Sequence, residues 1–460
     1  RDPEMSRGLG DVYKRQDDRI FKNVEFQTQT PGEAEFEASD DYAEFGGEPL
    51  VGESETAKRI AEAGEFCGKM VGELADYADA LTATAEETAC ARFIRDELSP
   101  LADTRMEAFK TSPHAGRMCS VLLALVYFIA LFCYLISFAG GDAFGIAMVV
   151  VALIVLGGGG FVAGAMFLGN GKFVKILPKK VSYNVFSESR PQSEQHGNKL
   201  LVIASNHDAV AGAYTPNFDT VRKVVFIVVP ASVVLFLFFC AIKLGVGSND
   251  VTKVTLLTVF PLLTSLTGII ALALHFSPLQ KHARENNNAG TAVAMALYEY
   301  LLKHPEVLPE DTRVCFVSFG GENAAHGGSR AFAEAHPEVN GATAIVIGDV
   351  LSSDFSLIRK DALRNIVLSQ ISPPAALAAA DKNNVACELA DNDIFKSKLN
   401  SLHGFSASAL ADAGCDCAMF VAKDYTEKGR ELNNEDMGRL FVLSLGTAVT
   451  MTEEKYGKRQ

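Results

Sequence analysis

The chain has 460 residues, 48% of them apolar, nine cysteines and a formal net charge of −14. A positive mean hydropathy (+0.14) in so acidic a chain means that an apolar and a charged population are mixed. No basic stripe lies outside the flanks of the apolar runs, which argues against nucleic acid as a partner. An odd cysteine count without a Cys-x-x-Cys pair argues against a disulfide framework and suits a reducing compartment.

Residues 1–16 read as a translated adapter rather than native protein and are set aside from the fold. Residues 17–56 carry twelve acids against Arg19 and Lys22, with interspersed Gly, Pro and Ser and no helical period, and are expected to form a disordered acidic tail. Helical spacing follows over Thr56–Leu81 and Ala85–Leu98, then a strand over Thr104–Lys110.

Four apolar runs come next in two pairs: Met118–Gly140 with Phe144–Gly169, and Val224–Val246 with Val254–Phe276. Each is long enough to cross a hydrocarbon core of about 30 Å, so transmembrane hairpins are expected over 118–169 and 223–276. Lys243, near the end of the third run, is expected to snorkel. No ionisable group falls at mid-span, which argues against a conduction pathway. Arg117, Lys172, Lys175, Lys179, Lys180, Arg222, Lys223, Lys281 and Arg284 flank the runs on one side, whereas the turns offer only Lys243 and Lys253. By the positive-inside rule this is an integral membrane protein, expected in the plasma membrane, with its soluble part cytoplasmic and the lipid bilayer as a partner.

The soluble pieces, 57–117, 170–222 and 277–460, read as one discontinuous α/β domain. Strands are expected over Val181–Ser187, Lys199–Ala204, Arg313–Phe319 and Thr343–Gly348, with helices around Thr291–Lys303 and Gly328–Ala335. Short apolar strands alternating with helices predict a mostly parallel, doubly wound sheet, whose chemistry belongs at the carboxyl ends of its strands. Asn206–Asp208, Gly320–Asn323 and Asp349 fall there. Cys415 and Cys417, one residue apart, read as packing residues, since two thiolates do not complete a zinc site.

The segments SYNVFSESRP…KLLVIASNHDA, NNNAGTAVAMALYEYLL, RVCFVSFGGENAAHGGSRAF and TAIVIGDV occur in an order that resembles metallopeptidase family twenty-eight, the di-zinc aminopeptidase Y-like exopeptidases. The resemblance covers roughly Thr56 to the C-terminus without the two hairpins, and implies a zinc-exopeptidase-like fold. It also implies where ligands should be. A His-x-Asp pair of the family stands here as Asn206 and Asp208, and a bridging aspartate as Asn287. The Glu-Glu pair of general base and ligand becomes Glu322 and Asn323. A further aspartate ligand is retained as Asp349, and the last histidine matches Tyr425.

One of five expected zinc ligands therefore survives, and neutral amides are poor zinc ligands beside Asp, Glu or His. Without metal, Glu322 has no zinc-bound water to deprotonate, and ordinary water is far too weak an acid for one carboxylate. Replacing carboxylates by asparagines also relieves repulsion among Asp208, Glu322 and Asp349. His207 is expected on the opposite strand face from Asn206 and Asp208, and His326 on a helix surface. The expectation is a pseudo-peptidase without a cofactor that binds a peptide or protein partner in its old cleft. Two alternatives remain: an active zinc exopeptidase with non-standard ligands, and a structural membrane scaffold.

Overall fold

The computed structural model describes residues 51–113, 115–139, 141–167, 177–189, 199–212, 218–246, 256–266, 269, 282–285, 287–322, 326–348, 350, 352–361, 365–392, 406–422 and 432–457. The adapter and residues 17–50 of the expected tail lie outside them. Residues 51–56 do not belong to a tail, because the first helix, Val51–Leu74, begins there, and a single 3-10 turn (Ala75–Tyr77) follows it.

Eleven strands are described: β1 (Asp103–Thr111), β2 (Lys180–Glu188), β3 (Lys199–Asn206), β4 (Val210–Gly212), β5 (His282–Glu285), β6 (Thr312–Phe319), β7 (Thr343–Ile347), β8 (Phe355–Asp361), β9 (Ile366–Val367), β10 (Cys387–Asn392) and β11 (Asp416–Ala422). The main sheet runs β1-β2-β6-β3-β7-β11-β8-β10, with β9 on β8. Its centre is parallel, β6 through β3 and β7 to β11, while β1–β2, β2–β6, β8–β11 and β8–β9 pair antiparallel. The sheet is mixed α/β with a parallel core. The residues explain the position of each strand. β3 and β7 are buried almost throughout, as interior parallel strands must be. β1 instead alternates in exposure and carries Asp103, Arg105, Glu107 and Lys110, which protect an edge from pairing.

Helices cover both faces. One apolar core lies between the sheet and the helices Val51–Leu74, Ala85–Leu98, Asn288–Lys303, Ser372–Asn383 and Asn434–Tyr456. The other lies beneath Gly327–Ala335 and Ser406–Asp412. The Asn434–Tyr456 helix starts on a capping box, in which Asn433 Oδ1 accepts from Asp436 N (2.8 Å) and Asp436 Oδ2 accepts from Asn433 N (3.2 Å). It touches the first helix almost backbone to backbone, since a Cβ on Gly438 would lie 2.0 Å from the Ile60 carbonyl oxygen.

Both apolar insertions leave the domain through closed strand pairs. Thr111 at the end of β1 faces Lys180 at the start of β2, and β4 pairs β5 with Gly212 opposite His282. Chain ends held side by side accommodate an insertion as a surface loop does, which is why the sheet tolerates two of them.

Among the described residues, two helices are long and apolar enough to cross a bilayer: Asp142–Val162 within Asp142–Phe167, and Val228–Gly245 within Phe218–Val246. They are only 22% and 28% buried, unlike core helices of soluble proteins. The other two expected spans are shorter as described. Val121–Ile136, within Ala115–Ile136, is about 24 Å long, and Leu256–Leu266 about 16 Å, at 1.5 Å per residue. By that measure two of the four expected spans stand among the described residues, and Val121–Ile136 belongs to a helix, Ala115–Ile136, of 22 residues. The outer surface of the group is apolar all the same: Phe128, Ile154, Phe161 and Val234 are 65%, 67%, 71% and 64% exposed.

The hairpins pack together. Tyr134 OH donates to Leu257 O (2.6 Å), and Tyr127 OH bonds both Val229 O (3.2 Å) and the Ser232 hydroxyl. Lys243 does not snorkel. It is buried, hydrogen-bonded to Ser137 Oγ, with Nζ 3.0 Å from the Phe138 ring centroid and 4.9 Å from that of Tyr134. Aromatic faces and a hydroxyl at the end of the neighbouring helix take the place of water around the ammonium.

Candidate functional site

The C-terminal ends of β3, β6 and β7 converge as the parallel core requires. Asn206 closes β3 opposite Phe319 of β6, and Asn287 caps the Asn288–Lys303 helix. Asn287 Nδ2 donates to Asn206 Oδ1 at 2.9 Å and to Ile347 O at 3.0 Å. Both amides are buried, and the Thr291 hydroxyl donates to the Asn206 carbonyl (3.0 Å), fixing the helix start to the strand end. The Asn287 Oδ1 atom is buried without a hydrogen-bond partner. Gly290 leaves room for that amide, since a Cβ there would lie 2.1 Å from Asn287 Oδ1. Asp208, two residues beyond Asn206, is buried and accepts from Thr82 Oγ1 at 2.7 Å.

The loop Gly320–Glu322 is held from three sides. Glu87 Oε1 accepts from Gly321 N (2.8 Å) and Ser182 Oγ (2.8 Å), while its Oε2 accepts from Ala83 N (2.6 Å). Burial pushes the Glu87 carboxyl above its ordinary range, against the opposing pull of those three donors. Asn184 Oδ1 accepts from Gly320 N (3.2 Å) and its Nδ2 donates to Gly328 O (2.9 Å). Gly321 takes a left-handed φ of +62°, the conformation glycine adopts without strain.

Glu322 points into the start of the Gly327–Ala335 helix. Its Oε1 accepts from Ser329 N (2.6 Å), and its Oε2 bonds Ser329 Oγ (3.1 Å) and His326 Nδ1 (2.9 Å). Burial works against the ionised form, but His326 and Ser329 outweigh it and hold the carboxyl below its ordinary range. His326 is therefore not a helix-surface residue. It is buried, sits at the N-cap with φ +56°, and that turn swings its ring inward onto Glu322. A carboxylate beside a helix N-terminus with three hydrogen bonds is an anchor, and its lone pairs are directed at the protein.

His207 takes no part in this arrangement. Its Nδ1 pairs with Ser318 Oγ (2.9 Å) on β6, and burial pushes its pKa down to about 4, so it is neutral near pH 7. His336, beyond the Gly327–Ala335 helix, lies between Glu107 Oε2 and Glu338 Oε1, each at 2.9 Å, stacked on Phe186. Burial works against its charge, but the two glutamates prevail and raise its pKa above 6.5, while both glutamates are lowered from 4.5. Arg105 also bonds Glu107, and Arg313 acts on Glu338. The histidine contribution to stability is complete below its unfolded value and is lost as pH rises through the raised folded value. The glutamate contributions are complete above theirs and are lost as pH falls. Stabilisation by this cluster is thus expected to plateau between about pH 4.5 and 6.5. His336→Gln should flatten the alkaline side of a denaturation-midpoint profile and weaken the acid side as well, because part of the lowering of Glu107 and Glu338 comes from His336.

Of the residues read from the sequence, Asn206 and Asn287 are brought into contact, Asp208 lies beside them, and Glu322 is committed to its helix. Asn323, Asp349 and Tyr425 lie outside the described residues. Thr82 and Glu87 belong to no motif, and Asn184 and Ser329, though they lie in the segments SYNVFSESRP and RVCFVSFGGENAAHGGSRAF, carry no expected role there. The described part of the donor set does not by itself make a zinc pair. Two of the positions are amides bonded to each other, Glu322 faces away to Ser329 and His326, and among the described residues no three His, Cys, Asp or Glu side chains gather into a metal-binding group.

No family profile matches the chain, and no curated protein does. Solved structures similar to it include an aminopeptidase from Aneurinibacillus sp. strain AM-1, at 12% identity over 86% of this chain and 96% of that one, with a TM-score of 0.46. Another is a zinc aminopeptidase from Bacillus subtilis, at 12% identity over 84% and 94%, with a TM-score of 0.43. A glutaminyl cyclase from Fimbriiglobus ruber is similar at 11% identity over 84% and 95%, with a TM-score of 0.42.

Proposed function

We propose that this chain is a membrane-anchored, peptidase-like protein without a working zinc centre, which acts by binding a peptide or protein partner at the polar edge of its sheet. The observation that carries this reading is the buried Asn206–Asn287 amide pair. Where a di-metal hydrolase needs charged ligands aimed at the ions, these side chains satisfy each other. Glu322, the position that would supply a general base, is spent on a helix start. In this reading both hairpins cross the plasma membrane as four helices. The basic flanks support a cytoplasmic position of the soluble domain, and the exposed apolar side chains of the helices would meet lipid.

Metal content of the detergent-purified chain, after incubation with zinc and desalting, tests the reading. Substoichiometric zinc, equal to that of an Asp208→Asn/Asp349→Asn control, is expected. One or two zinc ions per chain, absent from the control, would replace this reading with an active exopeptidase.

A further inference from the structure

The edge strand β1 is docked along one seam to the segment between Gly321 and Glu338. Glu107, Phe109 and Thr111 lie two residues apart and share a face of the strand. At the polar-site end of the seam, a Cβ on Gly327 would lie 2.6 Å from Thr111 Oγ1, and one on Gly321 3.1 Å from Phe109 Cζ. At the other end, Glu107 reaches across 229 positions to His336, the C-cap of the Gly327–Ala335 helix. Among the described strands β1 pairs with β2 alone, so the seam fixes one of its two faces.

His336 is buried, and each of its ring nitrogens faces a carboxylate oxygen: Nε2 meets Glu107 Oε2 and Nδ1 meets Glu338 Oε1, both at 2.9 Å. An ionised carboxylate only accepts, and a neutral imidazole carries one N–H. Both contacts are therefore hydrogen bonds only when the ring holds two protons. The rings of Phe186 and Phe332, with centroids 4.7 and 4.5 Å away, pack on the imidazole, so that it changes charge rather than position. The other charged groups of the cluster are Arg105 on β1, Glu188 on β2 and Arg313 on β6. With the imidazolium, the cations and carboxylates of the cluster balance. Without it, one carboxylate oxygen faces a nitrogen lone pair and negative charge is in excess. Neither glutamate is then stranded, because Glu107 keeps Arg105 from its own strand and Glu338 keeps the attraction of Arg313. What disappears is the charged link across the seam.

We propose that His336 is a proton-operated latch: its imidazolium fastens β1 to the helix that anchors Glu322, and loss of the proton releases the strand. Release extends to the polar loop, because Phe109 and Thr111 on the same face lie against Gly321 and Gly327. It extends also to the first apolar helix, which starts at Ala115, four residues after Thr111. Histidine is the side chain whose ordinary titration makes such a change available near neutral pH. The latch needs neither the loss of zinc nor a membrane crossing, so it stands apart from the proposed function.

The test is hydrogen exchange of the full chain in detergent between about pH 5.5 and 8.5, the range a histidine spans, corrected for the intrinsic pH dependence of exchange. Protection over 103–111 is expected to fall by about tenfold as pH rises through a midpoint above 6.5, the scale of one charge-assisted hydrogen bond. The central strands, 201–204 and 343–347, should not change. His336→Gln should give the released level at every pH. Glu338→Gln leaves the bond between His336 and Glu107 intact and should move the step down by about one pH unit, because an opposite charge beside the imidazolium is gone. A merely structural histidine would show no such shift. If His336→Gln fails to fold, the wild-type profile and Glu338→Gln decide alone. Protection of β1 that does not vary with pH, a fall shared by the central strands, a step that persists in His336→Gln, or one that stays in place in Glu338→Gln would overturn the latch and leave the proposed function where it stands.

Discussion

Glu322→Ala is expected to destabilise the folded protein by about 3 kcal/mol, because it strips a buried carboxylate from three hydrogen bonds. It would leave Ser329 N, Ser329 Oγ and the His326 ring without their acceptor at the first turn of the Gly327–Ala335 helix. The direction separates the two functional readings. A working catalytic base is held in an unfavourable setting, so its removal abolishes activity and leaves stability unchanged or improved. Here the same position is built as an anchor, with its carboxyl held below the ordinary 4.5 by His326 and Ser329 in spite of burial. Its contribution is therefore complete above that value and is lost as pH falls through the lowered folded value. Denaturant midpoints of wild type and variant, measured at pH 7 and again near pH 3, should converge at the lower pH. An unchanged midpoint at pH 7 would mean that Glu322 does not hold the helix and is available for chemistry.

The strand ends were legible because apolar runs stop abruptly at polar residues. Lys199–Asn206 and Thr312–Phe319 are buried along nearly their whole length, so composition alone marks where each strand reaches the site. β10 has no such signature: its sequence Cys387–Asn392 mixes Glu388 and Asp391 with Cys, Leu, Ala and Asn at a sheet edge, and nothing in it distinguishes a strand from a loop. The contacts that support the site were beyond reach for a different reason. Glu87 meets Gly321 across 234 positions, Asn184 meets Gly320 across 136, and Thr82 meets Asp208 across 126. Each is an ordinary polar residue in its local context, and only the tertiary fold gives it a role. His326 was misread because helical periodicity takes no account of a left-handed N-cap that turns a side chain inward. Lys243 was misread because a lone cation near a span end is usually solvated, whereas here two aromatic rings and Ser137 enclose it.

The glycines of the Gly-Gly-Glu…Gly-Gly segment carry much of the sequence resemblance, and their role decides what that resemblance means. A Cβ on Gly328 would lie 2.1 Å from the Gly320 carbonyl oxygen, 2.7 Å from Asn184 Oδ1 and 3.2 Å from Glu322 Oε1. A Cβ on Gly320 would lie 2.5 Å from the Tyr183 carbonyl oxygen. Backbone atoms on both sides cannot retreat without breaking the bonds that Asn184 and Glu87 make to the loop. Gly328→Ala is therefore expected to cost about 3 kcal/mol, at the upper end of overpacking penalties. Gly72→Ala is the control. That glycine lies within the Val51–Leu74 helix with open space where its Cβ would go, and the change should stabilise by up to about 1 kcal/mol through helix propensity. Thermal and denaturant unfolding of the two variants in the same detergent reads the difference. With that contrast, the glycines are explained by the loop, which cannot close around Glu322 without them, and they say nothing of metal chemistry. If instead both variants unfold like wild type, the loop has slack, and the glycines are better explained by a ligand that approaches the backbone there.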